Sequence, residues 1–324
     1  MAYNTAAYVW KNGGPGQLQD HVAEIQASGL TTVILFGIHI GREMDEHPNM
    51  KVGDLIYNDY PENLIVSCGK FNPNNCSAIK EWPEQIWLLK QKSSVSRVFI
   101  TLGGAYPEVK DFDTIQTMFK RHDDTLEDNI EALKNAFTVN DDCVIDGFDF
   151  DNEEPRIDLQ TFVSLGELLF GFGFEVTFCP YNDIDDGQNN SIPDWQKRMQ
   201  AFWDEGMKVS WWNLQCYSGG RRNRDNLSPW INALAEVVGS EAAPSYLVPG
   251  LAVAGVEDVD ADERLCPNGS DSFYTTFNGW QKLGLAGGFM WKYDALPQNP
   301  TMCSGTNNLA NYVKAINEAL TKST

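Results

Sequence analysis

Residues 144 to 153 read VIDGFDFDNE, an apolar strand that turns acidic along one face. Side chains alternate across a strand, so Asp149, Asp151 and Glu153 point one way while Phe148 and Phe150 point the other. The acids line one side and the aromatic rings pack the opposite one. Three carboxyl groups held this close repel one another, which raises the proton affinity of at least one of them. A proton can then be kept near neutral pH and delivered to a leaving group, which is general acid chemistry. The bland alternative is an acidic strand end that faces solvent or binds a cation; the phenylalanines between the acids count against a simple exposed loop. Asp146 stands three residues before Asp149, so alternation sends it away from the row, and structural support of the strand or a nearby loop suits it better than direct catalysis. Glu154 is one further acid, at a turn before Pro155; the spacing favours Glu153 as the donor.

Strand-like apolar segments recur at 5–10, 31–37, 95–104, 143–151, 174–181, 208–217, 246–253 and 285–294. Most are separated by helix-like stretches, among them LQDHVAEIQASG, DTLEDNIEALKNAF, DLQTFVSLGELLF and SPWINALAEVVG, and NNLANYVKAINEAL follows the last strand. Eight strand–helix units in this length predict an α/β fold, a (β/α)8 TIM barrel that forms one catalytic domain over residues 1–324. The competing architecture, a doubly wound open sheet, usually carries a glycine-rich first turn; GlyGlyProGly at 13–16 follows strand one, yet no G-x-G-x-x-G pattern is present. The longest interval, 38–94, holds short apolar runs and turn residues that predict an extended, hairpin-like loop after strand two, forming one wall of a groove. Between strands seven and eight there is room for a short helix around TTFNGWQKLG and none for an inserted domain.

In such a barrel function sits where the strands end. That rule nominates Gly103, Gly104 and Ala105, then Tyr181 and Asn182, Gln215 and Tyr217, and Trp291, Tyr293 and Asp294, all distant in sequence and expected on one rim. An indole at the rim, as at Trp291, offers a flat apolar plate on which the axial hydrogens of a sugar ring stack, and acids beside it suit glycosidic oxygen chemistry. Carbohydrate is the substrate class this combination suggests. Most of the tryptophans in helix-like or linking segments are expected to be packing residues.

Forty-five acidic against 24 basic residues give a formal net charge of −21, which repels a phosphate backbone and an anionic membrane. Neither nucleic acid nor membrane is expected as a partner. No window approaches the roughly 18 apolar residues that span a bilayer, and MAYNTAAYVW shows no signal peptide. The seven cysteines have no paired CxxC spacing, so neither a metal nor any other cofactor is expected. Cys68 with Cys76, and Cys266 with Cys303, would each close a surface loop in an extracellular protein. Cys143, Cys179 and Cys216 sit in or beside apolar runs and are expected as buried thiols.

Residues 144–153 resemble the D-G-x-D-x-D-x-E signature of glycoside hydrolase family 18, the chitinases and related endo-N-acetylglucosaminidases, with Asp146, Asp149, Asp151 and Glu153 in its four acidic positions. AAYVWKNGG, VFITLGG, VTFCPY, WNLQCY, LVPGLAVAG and GGFMWKYD resemble the same family in order, so the likeness spans essentially the whole chain and looks closest to the compact, hevamine-like type. It implies a retaining endo-hydrolase of β-1,4 bonds between N-acetylglucosamine units. Glu153 would be the proton donor, and Asp151 would orient the substrate's 2-acetamido group as it attacks the anomeric carbon, the substrate-assisted exception to the two-carboxylate scheme. Asp149 would hydrogen-bond with Asp151, Tyr217 would donate to the acetamido carbonyl, Gln215 would contact the same sugar and Trp291 would lie beneath it. Gly104, Tyr181 and Asn182 complete the expected substrate-binding rim. Asn152 departs from the aromatic or aliphatic residue often found there, which predicts altered packing behind the strand. The likeness fits a chitinase acting on chitin or chitooligosaccharides, an endoglycosidase of the N-glycan core, or a sugar-binding protein that has lost hydrolysis; retention of both Asp151 and Glu153 counts against the last. Segments 38–76 and 182–192, with His39, Tyr57, Tyr60 and Asp183, would decide between a linear chain and a branched glycan. No binding module or proline/threonine-rich linker follows the barrel, so soluble chains are expected over crystalline chitin. The partner implied is an N-acetylglucosamine-containing oligosaccharide or polysaccharide, met by a secreted monomer.

Overall fold

Eight parallel strands form the centre of the molecule, described from a computed structural model that covers residues 3–9, 17–42, 50–58, 63–72, 77–105, 107–182 and 190–321. The strands are β1 (Asn4–Val9), β2 (Thr32–Ile40), β3 (Arg97–Gly104), β4 (Gly147–Asn152), β5 (Glu175–Phe178), β6 (Trp212–Gln215), β7 (Leu247–Val253) and β8 (Gly287–Trp291). Each pairs with the next, and β8 pairs with β1 through Asn4↔Gly287 to Ala7↔Met290, so the sheet closes. Closure excludes the open doubly wound sheet. Strands buried on both faces read as near-continuous apolar runs, as TVILFGIHI in β2 does over its whole length. The fifth and sixth strands are shorter than expected. Pro180 has no N–H to continue the ladder, and β5 ends at Phe178, where its only register pair with β6 is Phe178↔Trp212.

Helices surround the barrel: α1 (Val22–Ala27), α2 (Ser77–Leu89), α3 (Asp111–Lys120), α4 (Thr125–Ala136), α5 (Leu159–Gly171), α6 (Ile192–Asp204), α7 (Ser228–Val238) and α8 (Phe273–Trp280), then the helix Leu309–Thr321. The sequence pattern did not single out α2, α3 and α6. In α3 the buried Phe112, Ile115 and Met118 make a narrow stripe in an otherwise polar decapeptide. In α6 a Ser191/Asp194 capping box and Pro193 start the helix, and Trp195, Met199 and Phe202 face inward.

The expected excursion after β2 is present. β2 runs past the barrel and pairs antiparallel with Leu55–Tyr57, which pairs with Leu64–Ser67 and then Lys70–Phe71. Between β7 and β8 lie a two-residue strand, Arg264–Leu265, and α8, with no inserted domain. GlyGlyProGly at 13–16 lies outside the described residues.

Alternation in β4 divides the protein as its sequence suggests. Phe150 packs between barrel and helices against Phe112, Phe162, Phe178 and Phe202, and Phe148 against Phe174. Asp149 and Asp151 point into the barrel. Gly103 lets β3 lie close to this strand: its φ of +104° is one that L side chains rarely adopt, and a Cβ there would collide with the Asp151 carbonyl oxygen.

Cys266 and Cys303 form a disulfide, as the second expected pair required. Cys68 is exposed and carries a free thiol 3.1 Å from Lys51 Nζ, and Cys76 lies outside the described residues. Cys179 and Cys216 are buried; Cys143 is only half-buried, because it belongs to a two-residue hairpin strand, Asp142–Cys143, beyond the barrel.

Candidate active site

Register sets the height of each acid. Asp149 pairs with Thr101 of β3 and Thr177 of β5, and Asp151 pairs with Gly103. Asp149 is therefore one layer down, in the barrel interior, and fully buried. Three side chains converge on it: the Tyr8 hydroxyl donates to Oδ2 at 2.6 Å, Thr177 to Oδ1 at 2.6 Å and Asn213 Nδ2 to Oδ1 at 2.9 Å. Burial raises its proton affinity and these donors pull it back. No hydrogen bond joins Asp149 to Asp151; the link between them is electrostatic.

Asp151 lies above it, 5 % exposed. Gln215 Nε2 donates to Oδ1 at 3.0 Å and also lies 3.5 Å from the Cys179 sulfur. Burial, then the charge of Glu153, then that of Asp149 push Asp151 well above the usual carboxylate range. All three effects favour the protonated form of Asp151. Glu153 follows the last residue of β4 and is half-buried.

These groups open into a cavity of about 490 Å³ at the carboxyl ends of the strands, within the range of roughly 300–1,000 Å³ usual for small-molecule sites. Asp151, Glu153, Tyr181, Gln215, Tyr217 and Trp291 all line it. The Trp291 ring meets Phe36 edge-on at 5.4 Å and Tyr8 at 5.5 Å, and stacks with Tyr217 at 6.0 Å and 16°. The Phe36–Gly37 and Trp291–Lys292 peptide bonds are cis. Lys292 Nζ sits 5.3 Å from the Trp291 ring centroid and pairs with Asp258, another lining residue, at 2.9 Å. The Tyr217 phenol is pushed well up by burial and nearby acidic groups, so it remains a neutral O–H donor.

The other expected residues fall in different places. Asp146 lies at the amino end of β4, accepting the Val98 N–H at 2.6 Å and pairing with Lys90 at 2.6 Å. Gly104 packs beneath Phe36, and the Asn182 carbonyl accepts from Asn223; neither is among the described residues that line the cavity. Ala105 and His39 do line it, with His39 Nδ1 2.9 Å from Asp111 Oδ2. Tyr57 is buried against Trp82, and Tyr60 and Asp183 are outside the described residues. Tyr293, expected on the rim, instead donates its hydroxyl to Glu24 at 2.6 Å, because the chain turns after Trp291 and the Tyr293 N–H bonds to the Tyr8 carbonyl. Asp294, expected beside it, is buried at the start of the short helix Ala295–Gln298.

Glu154 points away from the cavity. Its two oxygens accept the N–H groups of Phe112 and Asp113 at 2.7 and 2.9 Å, in the first turn of α3. Asn152 is buried and donates to Asn190 Oδ1 at 2.9 Å, a polar tie behind the strand to the residue before the α6 cap. Sequence reasoning missed Tyr8, Thr177, Cys179, Asn213 and Asp258. Alternation carried a signal for Thr177 with Cys179 and for Asn213 with Gln215, each pair two residues apart on an inward face. Asp258 lies on a loop and had none.

Comparison with family models and with curated proteins finds no match. Solved structures do match in fold. A GH18 chitinase from Pseudoalteromonas aurantia aligns over 98 % of this chain and 100 % of its own, with 15 % identity and a TM-score of 0.61. The catalytic domain of a hyperthermophilic chitinase from Pyrococcus furiosus aligns over 100 % and 98 %, with 14 % identity and a TM-score of 0.60. A class V chitinase from Nicotiana tobaccum, solved in complex with NAG4, aligns over 100 % of both chains with 13 % identity and a TM-score of 0.54.

Proposed function

We propose that this chain is a glycosidase of the family 18 kind, a secreted, monomeric chitinase that cleaves β-1,4 bonds between N-acetylglucosamine units with retention. One observation carries the reading: the row Asp149, Asp151, Glu153 ends in the same cavity as the Tyr217 phenol and the Trp291 indole. In this mechanism Glu153 protonates the glycosidic oxygen while the substrate's acetamido carbonyl oxygen attacks the anomeric carbon, so no enzyme nucleophile is needed. Asp151 orients the acetamido N–H and Asp149 balances the charge that develops. Tyr217 donates to the carbonyl oxygen, and Trp291 stacks beneath the sugar. Water then opens the cyclic intermediate, with Glu153 now acting as base.

The folds of the three chitinases support the substrate class, as does the NAG4 in the Nicotiana structure. The Cys266–Cys303 disulfide supports an oxidising compartment. Products of chitotetraose and of a biantennary N-glycopeptide, identified by mass spectrometry, test the proposal. The wild type is expected to cut chitotetraose, and Glu153→Gln to do so about 10²- to 10⁴-fold more slowly. Cleavage of the glycopeptide alone would make the protein an endoglycosidase of the N-glycan core, and inactivity on both would sink the hydrolase reading.

A further inference from the structure

Glu153 stands one residue past the end of β4, on irregular chain, where a side chain is held less firmly than on a strand. A proton donor has to stay within about half an ångström of its productive place. The residue that follows it is anchored twice. Glu154 sends its carboxyl group to the first turn of α3, and its carbonyl oxygen accepts two side-chain amides at 3.2 Å each, Asn152 Nδ2 and Asn190 Nδ2. Asn152 Nδ2 gives its second proton to Asn190 Oδ1 at 2.9 Å. Arg198 of α6 donates Nη2 to the same Oδ1 at 2.7 Å, and its guanidinium carbon lies 4.1 Å from the ring centroid of Phe162 and 4.4 Å from that of Trp195. Asn152, Asn190 and Arg198 are all buried.

Arg198 sets the direction of these bonds. A guanidinium has donors only, so Asn190 presents its oxygen to Arg198 and its amide nitrogen to the Glu154 carbonyl. That oxygen in turn takes the nitrogen of Asn152. Without Arg198 the Asn190 amide loses the partner that orients it. Packing alone does not call for this arrangement. Asn152 Oδ1 and Arg198 Nη1 are buried with no hydrogen-bond partner among the described residues, and polar atoms left so lower stability. An apolar residue at position 152, the type expected there from the family 18 resemblance, would leave no such atom.

We propose that Asn152, Asn190 and Arg198 are positioning residues for Glu153: they clamp the Glu154 carbonyl from the side of α6 and so fix the place from which the Glu153 carboxyl group enters the cavity. The role rests on the glycosidase reading above, in which Glu153 protonates the departing oxygen. None of the three lines the cavity, so the clamp acts on proton delivery and not on sugar binding.

Two variants test this, Asn152→Leu and Arg198→Met, one at each end of the clamp. Each puts an apolar side chain in place of a buried polar one, and Tm should stay within a few degrees of the wild type. The reading is kcat/KM, which reports the steps up to bond cleavage, on chitotetraose and on dinitrophenyl β-chitobioside. The sugar leaving from chitotetraose needs a proton, whereas dinitrophenolate departs without one. Both variants should lose about ten- to a hundredfold on chitotetraose, with KM changed less than about twofold, and less than about threefold on the aryl glycoside. Equal losses on both substrates, or none on either, would make the three side chains packing residues and overturn the proposal. So would failure of both variants to fold.

Crystal structures of the wild type and the variants need no substrate. The Glu153 carboxyl group should move or spread over two positions in the variants while Asp149 and Asp151 stay where they are; an unmoved Glu153 would overturn the proposal. If the wild type cleaves neither substrate, the glycosidase reading fails, and the crystal structures alone decide whether the clamp holds Glu153.

Discussion

At Asp151 three effects push in one direction, burial and the charges of two neighbouring acids, while the hydrogen bond from Gln215 pushes back. Repulsion between acids two residues apart is legible in the sequence, but the larger contribution, burial, depends on the barrel closing around the row. Asp149 raises the proton affinity of Asp151, so replacing it with a neutral isostere removes one of those pushes. In Asp149→Asn the pH limb that reports Asp151 should move to lower pH, by about one unit, with a fall in kcat. A kcat/KM profile on chitotetraose from pH 4 to 9 checks this. An unmoved limb would mean that the two carboxyl groups do not communicate.

At the scale of the element, the strand that leads into Glu153 also determines how α3 begins. Glu154 is turned outward by alternation and its carboxyl group accepts two N–H groups in the first turn of that helix. Burial nevertheless pushes its pKa up to about 7. A carboxyl group whose folded pKa lies above its unfolded value binds more protons in the native state, so it contributes stability below about pH 4.5 that is lost as pH rises to about 7. The full loss is at most about 3 kcal/mol. Thermal unfolding of wild type and Glu154→Gln across pH 4 to 8 should show a steeper decline in the wild type between pH 4.5 and 7. Parallel curves would refute the assignment. The sequence could name Glu154 as a rival donor but could not dismiss it. Dismissal needed α3, whose apolar stripe is too narrow in a polar decapeptide to be singled out.

For the whole molecule, the closing of a long loop matters more than any surface pair. The Cys266–Cys303 bond joins the segment before α8 to the segment that precedes the helix Leu309–Thr321. That helix completes the barrel's outer layer: Tyr312 donates to the carbonyl of Leu265, on the short strand beside β7, and Tyr3 of the segment before β1 donates to the Leu320 carbonyl. A sequence separation of 37 implies a loss of about 3–4 kcal/mol when the crosslink is removed. For a chain of 324 residues this lowers Tm by roughly 4–6 °C. Calorimetry of the Cys266→Ala/Cys303→Ala double variant checks it, and reductant should reproduce the shift in the wild type without affecting the variant. Equal Tm values for the two proteins would show that this helix is held by packing alone.

Sequence alone determined the eight strands and most of the helices between them, the acidic face of β4 with the phenylalanines opposite it, and the excursion after β2, because each is a periodicity or a composition that a short segment carries by itself. Tertiary structure alone decided what meets the acids. Alternation says that Thr177, Cys179, Asn213 and Tyr8 can face inward, but not at which height they meet Asp149 and Asp151. That height is the register between strands, and closure of β8 onto β1 sets it for the barrel as a whole. Tyr293 shows the same division from the other side. Its position beyond β8 suggested the rim, and a backbone bond to Tyr8 turned it toward Glu24, a contact between residues at opposite ends of the chain that no local pattern encodes.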